Sequence, residues 1–154
     1  PEFKNQLRIQ LIGQTDNSVL EDIENNGLAN NLLLIDHLPH KEGIDHLAKS
    51  QILLLPINNT PNAAGILPGK MFEYMAVKRP ILAIGPANAD FIRIIEETNT
   101  GEAVNFDDLE KIKSILSNYF RLYQQKQLYI KGDSYMQFSR KELAKNFFAL
   151  TENI

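Results

Sequence analysis

Short apolar runs alternate with amphipathic runs along this chain, and that alternation limits the folds open to it. The apolar runs fit strands at residues 7–13, 31–36, 51–57, 79–85 and 102–106. Runs with helical spacing cover residues 16–27, 42–50, 69–77, 89–99, 107–126 and 139–150. This order predicts an α/β fold with a doubly wound, Rossmann-like parallel sheet and helices on both faces. The nearly all-apolar run at 31–36 is typical of a strand covered on both faces.

The 154 residues suit a single domain. We expect an α/β core over residues 7–126 and a C-terminal helical segment over 127–154. The chain starts at Pro1 and reaches a strand within a few residues, so we expect a piece of a longer protein whose upstream partner domain is missing.

Charge and composition exclude several classes of protein. Sixteen basic and nineteen acidic side chains give a formal charge of −3, which argues against a general nucleic-acid binder. The chain has no cysteine, so disulfides and thiolate metal sites are excluded. No apolar run approaches the roughly 20 residues of a membrane span. A cytoplasmic location fits these features.

A glycine- and proline-broken loop at 58–68 follows a predicted strand and leads into a helix near Gly69. Doubly wound sheets bind ligands at the carboxyl ends of their strands, where this loop would lie. Gly65 and Gly69 let backbone N–H groups approach an anion, and Lys70 adds a positive charge. The pattern predicts a phosphate or diphosphate site; the alternative is a simple turn with a solvated Lys70. The spacing departs from a Walker loop, and Met71 replaces its hydroxyl residue, so a nucleotide hydrolase is rejected.

Glu73 lies one turn beyond Gly69 in the same predicted helix. A carboxylate there complements the helix dipole. It is equally able to accept two hydrogen bonds from a ribose diol. The residues alone leave both roles open.

Three histidines, His37, His40 and His46, fall within ten residues and raise the question of a metal site. They lack the spacing of a zinc hydrolase, so no metal ligand is predicted. No Gly-x-Ser-x-Gly elbow indicates a serine hydrolase.

The stretch GILPGKMFEYMAVKRPILAIG (65–85), together with LRIQLIG, LAKSQILLLP and TGEAV, resembles a known family. It is similar to the C-terminal, donor-binding half of the GT-B retaining glycosyltransferases of family 4 (group 1). The resemblance covers residues 7–152, and residues 65–85 are its specific part.

The resemblance implies a role for a few residues. Glu73 matches the glutamate that holds the donor ribose, and the backbone of Gly69, Lys70 and Met71 matches the segment under the donor phosphates. The remaining matches border the nucleobase, and they are Leu38, Pro39, Ile57 and Asn58. No catalytic residue of the family falls within this chain.

Two departures from the family pattern stand out. The family commonly has two glutamates in this segment, and Glu73 matches the second of them. Gly65 stands eight positions earlier, where the first would be. The family's Gly-Arg and Lys, which clamp the diphosphate, precede the first strand and are not in this chain, nor is the N-terminal domain that contacts the acceptor. The chain alone is therefore expected to be inactive.

The resemblance implies an enzyme that transfers a hexosyl group, with retention, from a nucleotide-diphosphate sugar to a carbohydrate or lipid-linked acceptor in bacterial polysaccharide biosynthesis. It implies no metal and no other cofactor. The expected partners are the nucleotide-sugar donor and the missing N-terminal domain. Contact with a membrane is expected only through that missing domain, and no nucleic acid is expected.

The alternatives are a non-catalytic, receiver-like binding module and a sugar-nucleotide epimerase. LIGQTD lacks the acidic cluster of a receiver, and PGKMFEY lacks the helix start of an epimerase.

Overall fold

The structure is a computed structural model that describes residues 2–130 and 132–151. Pro1, Lys131 and residues 152–154 lie outside the described residues, as do the predictions that concern them. The chain forms two compact units, Pro1–His46 and Leu47–Ile154.

The described residues form five strands and seven α-helices, joined by turns, three short 3₁₀ helices and the longer loop 57–68. The strands are β1 (Ile9–Ile12), β2 (Leu32–Ile35), β3 (Leu53–Pro56), β4 (Ile81–Ile84) and β5 (Gly101–Val104). The helices are α1 (Glu2–Gln6), α2 (Asn17–Asn25), α3 (His40–Lys49), α4 (Gly69–Ala76), α5 (Asp90–Thr98), α6 (Leu109–Gln124) and α7 (Arg140–Thr151).

The first unit holds the parallel pair β1–β2, in which Ile9 lies opposite Leu32. Asp16 caps α2 by accepting a hydrogen bond from the Ser18 amide at 2.8 Å. The Gln10 side-chain amide on β1 hydrogen-bonds His46 Nδ1 at 2.6 Å. This bond ties the latter part of α3 to the strand pair.

The second unit holds the parallel sheet β3–β4–β5, in which Leu55, Ala83 and Ala103 are register neighbours across its strands. One face of this sheet packs on α4 and α5, through a cluster that includes Met71, Met75, Phe91 and Ile95. The opposite face packs on α6, where Leu82 and Val104 contact Ile115 and Tyr119. Burial of apolar area on both faces is what stabilises a parallel sheet.

The amino ends of β4 and β5 are held by close packing and by buried polar groups. A Cβ added to Gly101 would lie 2.0 Å from the Ile81 carbonyl oxygen, so only glycine fits there. The hydroxyls of Thr98 and Thr100, both almost fully buried, lie 2.9 Å apart. Thr98 also donates to the Ile94 carbonyl at 2.6 Å, so the buried hydroxyls are satisfied.

The C-terminal segment attaches to the same end of the sheet. Ser134 Oγ donates to the Thr98 carbonyl at 2.7 Å, and Lys78 pairs with Asp133 at 2.6 Å. Tyr135 is buried in the cluster under α4 and α5. The apolar side chains of α7 are half or more exposed, with Leu143 at 50%, Phe147 at 64% and Leu150 at 69%.

The predicted fold class is confirmed, since the described strands are parallel and α4, α5 and α6 cover both faces of β3–β4–β5. The strands are divided between two sheets. Leu33 and Leu34, successive residues that point to opposite faces of β2, are each 52% exposed, so the expectation that β2 is covered on both faces is wrong. The short helix α1 was not predicted. No helix among the described residues is long and apolar enough to span a membrane. The single-domain boundaries and the cytoplasmic location stay predictions.

Candidate functional site

The loop after β3 delivers the chain to the first turn of α4. The carboxyl end of β3 is Pro56, and residues 57–68 connect it to Gly69. Backbone hydrogen bonds order this loop. The Ala63 amide donates to the Thr60 carbonyl at 2.9 Å, and the Gly65 amide donates to the Asn62 carbonyl at 3.1 Å. Ala63 is 2% exposed and anchors the loop. In a parallel sheet this is the end at which ligands bind.

The amino end of α4 has no side-chain cap. Pro68 precedes the helix in an extended conformation and makes no capping hydrogen bond. The amide of Met71 donates to the Pro68 carbonyl at 3.1 Å. The amides of Gly69 and Lys70 come before the first helical hydrogen bond and have no intrahelical partner. Two donors at the positive end of the helix dipole therefore remain open to an anion.

Gly65 and Gly69 are not required by the packing of this segment. A Cβ added at either position meets no atom within 4 Å, and neither residue has a left-handed φ. Gly101 is different, because there a Cβ would collide with the backbone. At a position whose backbone alanine can adopt, glycine costs about 0.4–1 kcal/mol relative to alanine, because it leaves the unfolded chain more freedom. The fold thus gives no reason for glycine at 69, whereas access for a ligand does.

Three residues of α4 face away from the core. Successive helical residues are turned by about 100°, which puts Gly69, Lys70 and Glu73 on one side and buried Met71 and Met75 on the other. Lys70 is exposed and Glu73 is half-buried. The helix thereby presents amide donors, an ammonium group and a carboxylate on one face.

Lys70 and Glu73 do not neutralise each other. Their spacing permits an i,i+3 pair, yet among the described residues neither makes an ion pair within 4.0 Å. Burial, followed by the charge of Glu73, raises the pKa of the neighbouring Tyr74 phenol. Glu73 is thus a half-buried carboxylate that no cation of the described residues pairs with, an arrangement suited to a ligand that brings hydroxyl donors.

The other predicted residues of the second unit have mixed surroundings. The Met71 side chain is fully buried, so its backbone alone faces the helix end. Ile57 donates its amide to Ile84 at 2.9 Å and packs on the core. Asn58 is exposed and accepts at its carbonyl from the Thr60 amide at 2.9 Å.

In the first unit, Leu38 and Pro39 lie in the connection between β2 and α3. Leu38 is half-buried and Pro39 is exposed. The Pro39 carbonyl accepts the Gly43 amide at 3.0 Å and so begins α3. The role of these two residues beside a nucleobase stays a prediction.

The histidines do not assemble into a metal site with other ligands. Over residues 2–130 and 132–151, no group of three His, Asp or Glu side chains is placed to hold a metal ion. The predicted absence of a metal requirement stays a prediction. Two hollows on the described surface are lined by no residue of α4: one is formed by residues that include Val19 and Ile23 of the first unit, and one by residues that include Arg79 and Lys126 of the second.

Two features of the site were not anticipated from the sequence. The Met71 amide already has a partner, which leaves Gly69 and Lys70 as the free donors. The loop before α4 is ordered by Thr60, whose hydroxyl donates to Asn62 Oδ1 at 2.9 Å. The turn signature Thr-Pro-Asn at 60–62 was the available signal for the second feature.

Comparisons with known proteins bear on the fold. No protein-family model matches the chain, and no curated protein matches it by sequence. Among solved structures it is similar to WaaG, a glycosyltransferase involved in lipopolysaccharide biosynthesis, with a TM-score of 0.63 and 17% sequence identity. The match covers 82% of this chain and 33% of that one, so the chain spans about a third of the structure it resembles. At this identity the likeness shows a shared α/β fold.

Proposed function

We propose that this chain is the donor-binding half of a family 4 (group 1) GT-B retaining glycosyltransferase. The full protein would move a hexosyl group from a nucleotide-diphosphate sugar to a carbohydrate or lipid-linked acceptor, without a metal. The observation that carries the proposal is the uncapped start of α4, where Gly69 leaves open space above two free amides. The fold shared with a glycosyltransferase supports it.

The donor diphosphate would bind at the first turn of α4. The amides of Gly69 and Lys70 would donate to its oxygens, and the Lys70 ammonium would balance its charge. In the transfer, the bond between the anomeric carbon and the diphosphate oxygen breaks, the acceptor hydroxyl oxygen bonds to that carbon on the face that the diphosphate leaves, and the hydroxyl proton passes to the departing diphosphate. The departing diphosphate gains negative charge, which the fixed amides and Lys70 stabilise.

The donor ribose would bind at Glu73. Glu73 lies four positions after Gly69 in the helix, a rise of about 6 Å. A nucleoside diphosphate spans such a distance between its diphosphate and its ribose hydroxyls. The Glu73 carboxylate would accept from both hydroxyls and so contributes to donor binding, while bond breaking is left to the diphosphate site and the acceptor side.

Titration calorimetry on the full gene product tests the diphosphate site, with UDP, GDP, ADP and dTDP as probes beside the matching nucleosides. Lys70→Ala should weaken the best-bound diphosphate about tenfold or more while changing nucleoside binding little, because a charged hydrogen bond contributes about 1.5–3 kcal/mol. Lys78→Asn is the matched control: it removes one positive charge at the other end of α4, at a position whose φ of 56° asparagine tolerates. Equal losses for diphosphate and nucleoside, or equal effects of the two substitutions, would refute the diphosphate site.

The ribose assignment is tested with the 2′,3′-dideoxy form of the same diphosphate. The unmodified protein should prefer the ribose form by about tenfold or more, because two hydrogen bonds to a carboxylate are lost in the analogue. Glu73→Ala should abolish that preference without changing the cooperativity of unfolding, whereas Glu96→Ala, at an exposed position of α5, should retain it. A preference that survives Glu73→Ala contradicts the assignment.

A further inference from the structure

A hollow in the second unit lies at the end of the sheet opposite to the start of α4. Its volume is about 200 Å³, and it is lined by Gln51, Arg79, Tyr123, Lys126 and Leu128. Gln51 and Arg79 come just before the amino ends of β3 and β4, and the other three residues lie at and after the carboxyl end of α6. The hollow therefore shares no residue with the site at Gly69.

The hollow carries two positive charges and no negative one. Arg79 and Lys126 line it, and no described carboxylate does. Over residues 2–130 and 132–151, neither cation lies within 4.0 Å of a carboxylate. The whole chain has a formal charge of −3, so this local excess runs against the overall balance. A concave surface lined by charges of one sign attracts ligands of the other sign.

The Arg79 guanidinium is held in place by the protein itself. Its Nε donates to the Ala48 carbonyl at 2.8 Å, and the residue is half-buried. The two terminal nitrogens make no hydrogen bond to another described residue. They are able to donate in parallel to two oxygens of one anion, which is the geometry that arginine offers to a phosphate or a carboxylate.

Lys126 stands at a backbone position where glycine is the usual residue. Its φ is 56°, in the left-handed region that a Cβ disfavours. The Lys126 amide donates to the Tyr123 carbonyl at 2.9 Å and the Gln127 amide to the Leu122 carbonyl at 2.8 Å. These two bonds form the Schellman motif, which ends a helix most often with glycine at this position. Glycine would therefore serve the fold at least as well.

The dipole of α6 does not account for this lysine either. A cation near the carboxyl end of a helix is favourable, but Arg121 already supplies one in the last turn of α6. A ligand that needs the ammonium group gives lysine a reason at this unfavourable conformation.

The rest of the lining suits a small organic group. The Tyr123 side chain is 45% exposed, and its ring stacks on Phe120 with the centroids 6.4 Å apart. Leu128 is half-buried and packs on the cluster under α6. The volume of about 200 Å³ is below the roughly 300–1,000 Å³ of pockets for drug-sized ligands. The ligand is therefore small, with an anionic end and an apolar or ring-shaped body.

We propose that this hollow binds a small phosphate monoester, with the phosphate at Arg79 and Lys126 and the esterified group against the Tyr123 ring. A phosphate monoester carries a charge of about −1.5 to −2 at neutral pH, which matches two cations. A single carboxylate would leave one of them unbalanced. This proposal does not rest on the proposed function.

Nuclear magnetic resonance titration of the ¹⁵N-labelled full gene product tests the site, with phenyl phosphate as the probe. The amides of Arg79, Lys126 and Gln127 should shift together, with a Kd of about 1 mM or tighter. Inorganic phosphate should shift the same amides with a weaker Kd, because it has no ring to contact Tyr123. Phenol, which has no charge, should shift them little.

Lys126→Gly removes the charge and also relieves the left-handed conformation. It should weaken phenyl phosphate binding about threefold or more, as expected for an exposed ion pair, while the urea midpoint stays the same or rises. Lower affinity is then not a result of unfolding. Lys111→Ala is the matched control, because it removes one exposed positive charge about 20 Å away along α6, beyond the screening length of about 8 Å. It should leave the affinity unchanged.

Two more variants separate this site from its alternatives. Tyr123→Leu should lower the affinity for phenyl phosphate to that for inorganic phosphate, because the ring contact is lost. Lys70→Ala should leave the shifts of the Lys126 amide unchanged.

Three results would overturn the proposal. They are phenyl phosphate shifts confined to the start of α4, equal affinities of the unmodified protein and Lys126→Gly, and equal effects of Lys126→Gly and Lys111→Ala.

Discussion

The substitution Gly69→Ala tests whether the fold or a bound ligand requires glycine at this position. The added Cβ meets no protein atom within 4 Å and the φ of Gly69 is not left-handed. Alanine reduces the conformational freedom of the unfolded chain and is the better helix former, so the substitution should stabilise the second unit by about 0.4–1 kcal/mol. Urea unfolding of the 154-residue chain measures this change.

The same substitution should weaken binding of a nucleoside diphosphate. The methyl group would occupy the open space from which phosphate oxygens approach the amides of Gly69 and Lys70. Loss of one hydrogen bond to a charged group costs about 1.5–3 kcal/mol, which corresponds to a loss of affinity of about tenfold to a hundredfold. Titration calorimetry on the full gene product, with the diphosphate that binds best, measures it.

Gly43→Ala is the control for the glycine-to-alanine change itself. Gly43 lies within α3, and a Cβ added there also meets nothing within 4 Å. It should raise stability by a similar amount, about 1 kcal/mol, without changing diphosphate affinity. Loss of stability in Gly69→Ala would refute the argument that the fold does not need Gly69, and unchanged affinity would refute the open space as a ligand site.

Two further predictions concern the scaffold. Gly101→Ala should lower the free energy of unfolding by about 3 kcal/mol or more, because its Cβ would lie 2.0 Å from the Ile81 carbonyl oxygen; a loss below about 1 kcal/mol in urea unfolding would contradict that close contact. Hydrogen bonds from the Ser18 hydroxyl and amide lower the pKa of Asp16 from its ordinary 3.8, so its contribution to stability is present above that value and is lost as the pH falls through the lowered pKa. Asparagine caps helices without titrating, so the stability of the unmodified protein relative to that of Asp16→Asn should fall from about pH 7 to about pH 3; a constant difference would contradict this linkage.

Local patterns predicted the elements well because their causes are local. Apolar runs such as 79–85 contain the observed strands, and the start of α4 at Gly69 agrees with the turn residues before it. Pairing partners are a different matter, since no residue of β2 or β3 records which strand lies beside it. The division into two sheets, and the exposure of Leu33 and Leu54 that accompanies it, therefore had to come from the structure.

The candidate site was predictable to a similar degree. The identities of Gly69, Lys70 and Glu73 follow from residue chemistry and helical spacing. The absence of an ion pair between Lys70 and Glu73 does not, because it depends on rotamers. The hydrogen bond from the Met71 amide to the Pro68 carbonyl likewise depends on the backbone conformation of Pro68, which residue spacing does not determine.

The buried hydroxyls of Thr98 and Thr100, and the Ser134 bond to the Thr98 carbonyl, all lie at the amino ends of the strands. The glycine-rich loop lies at the opposite, carboxyl end of β3. Tolerance to sequence change is therefore uneven along the strand axis. A lineage of such chains is free to exchange the exposed residues of 57–68 and acquire new ligand preferences, while Ile57, buried Ala63 and the threonine and serine contacts continue to hold the scaffold. Selection for a new ligand and selection for folding act on different residues here.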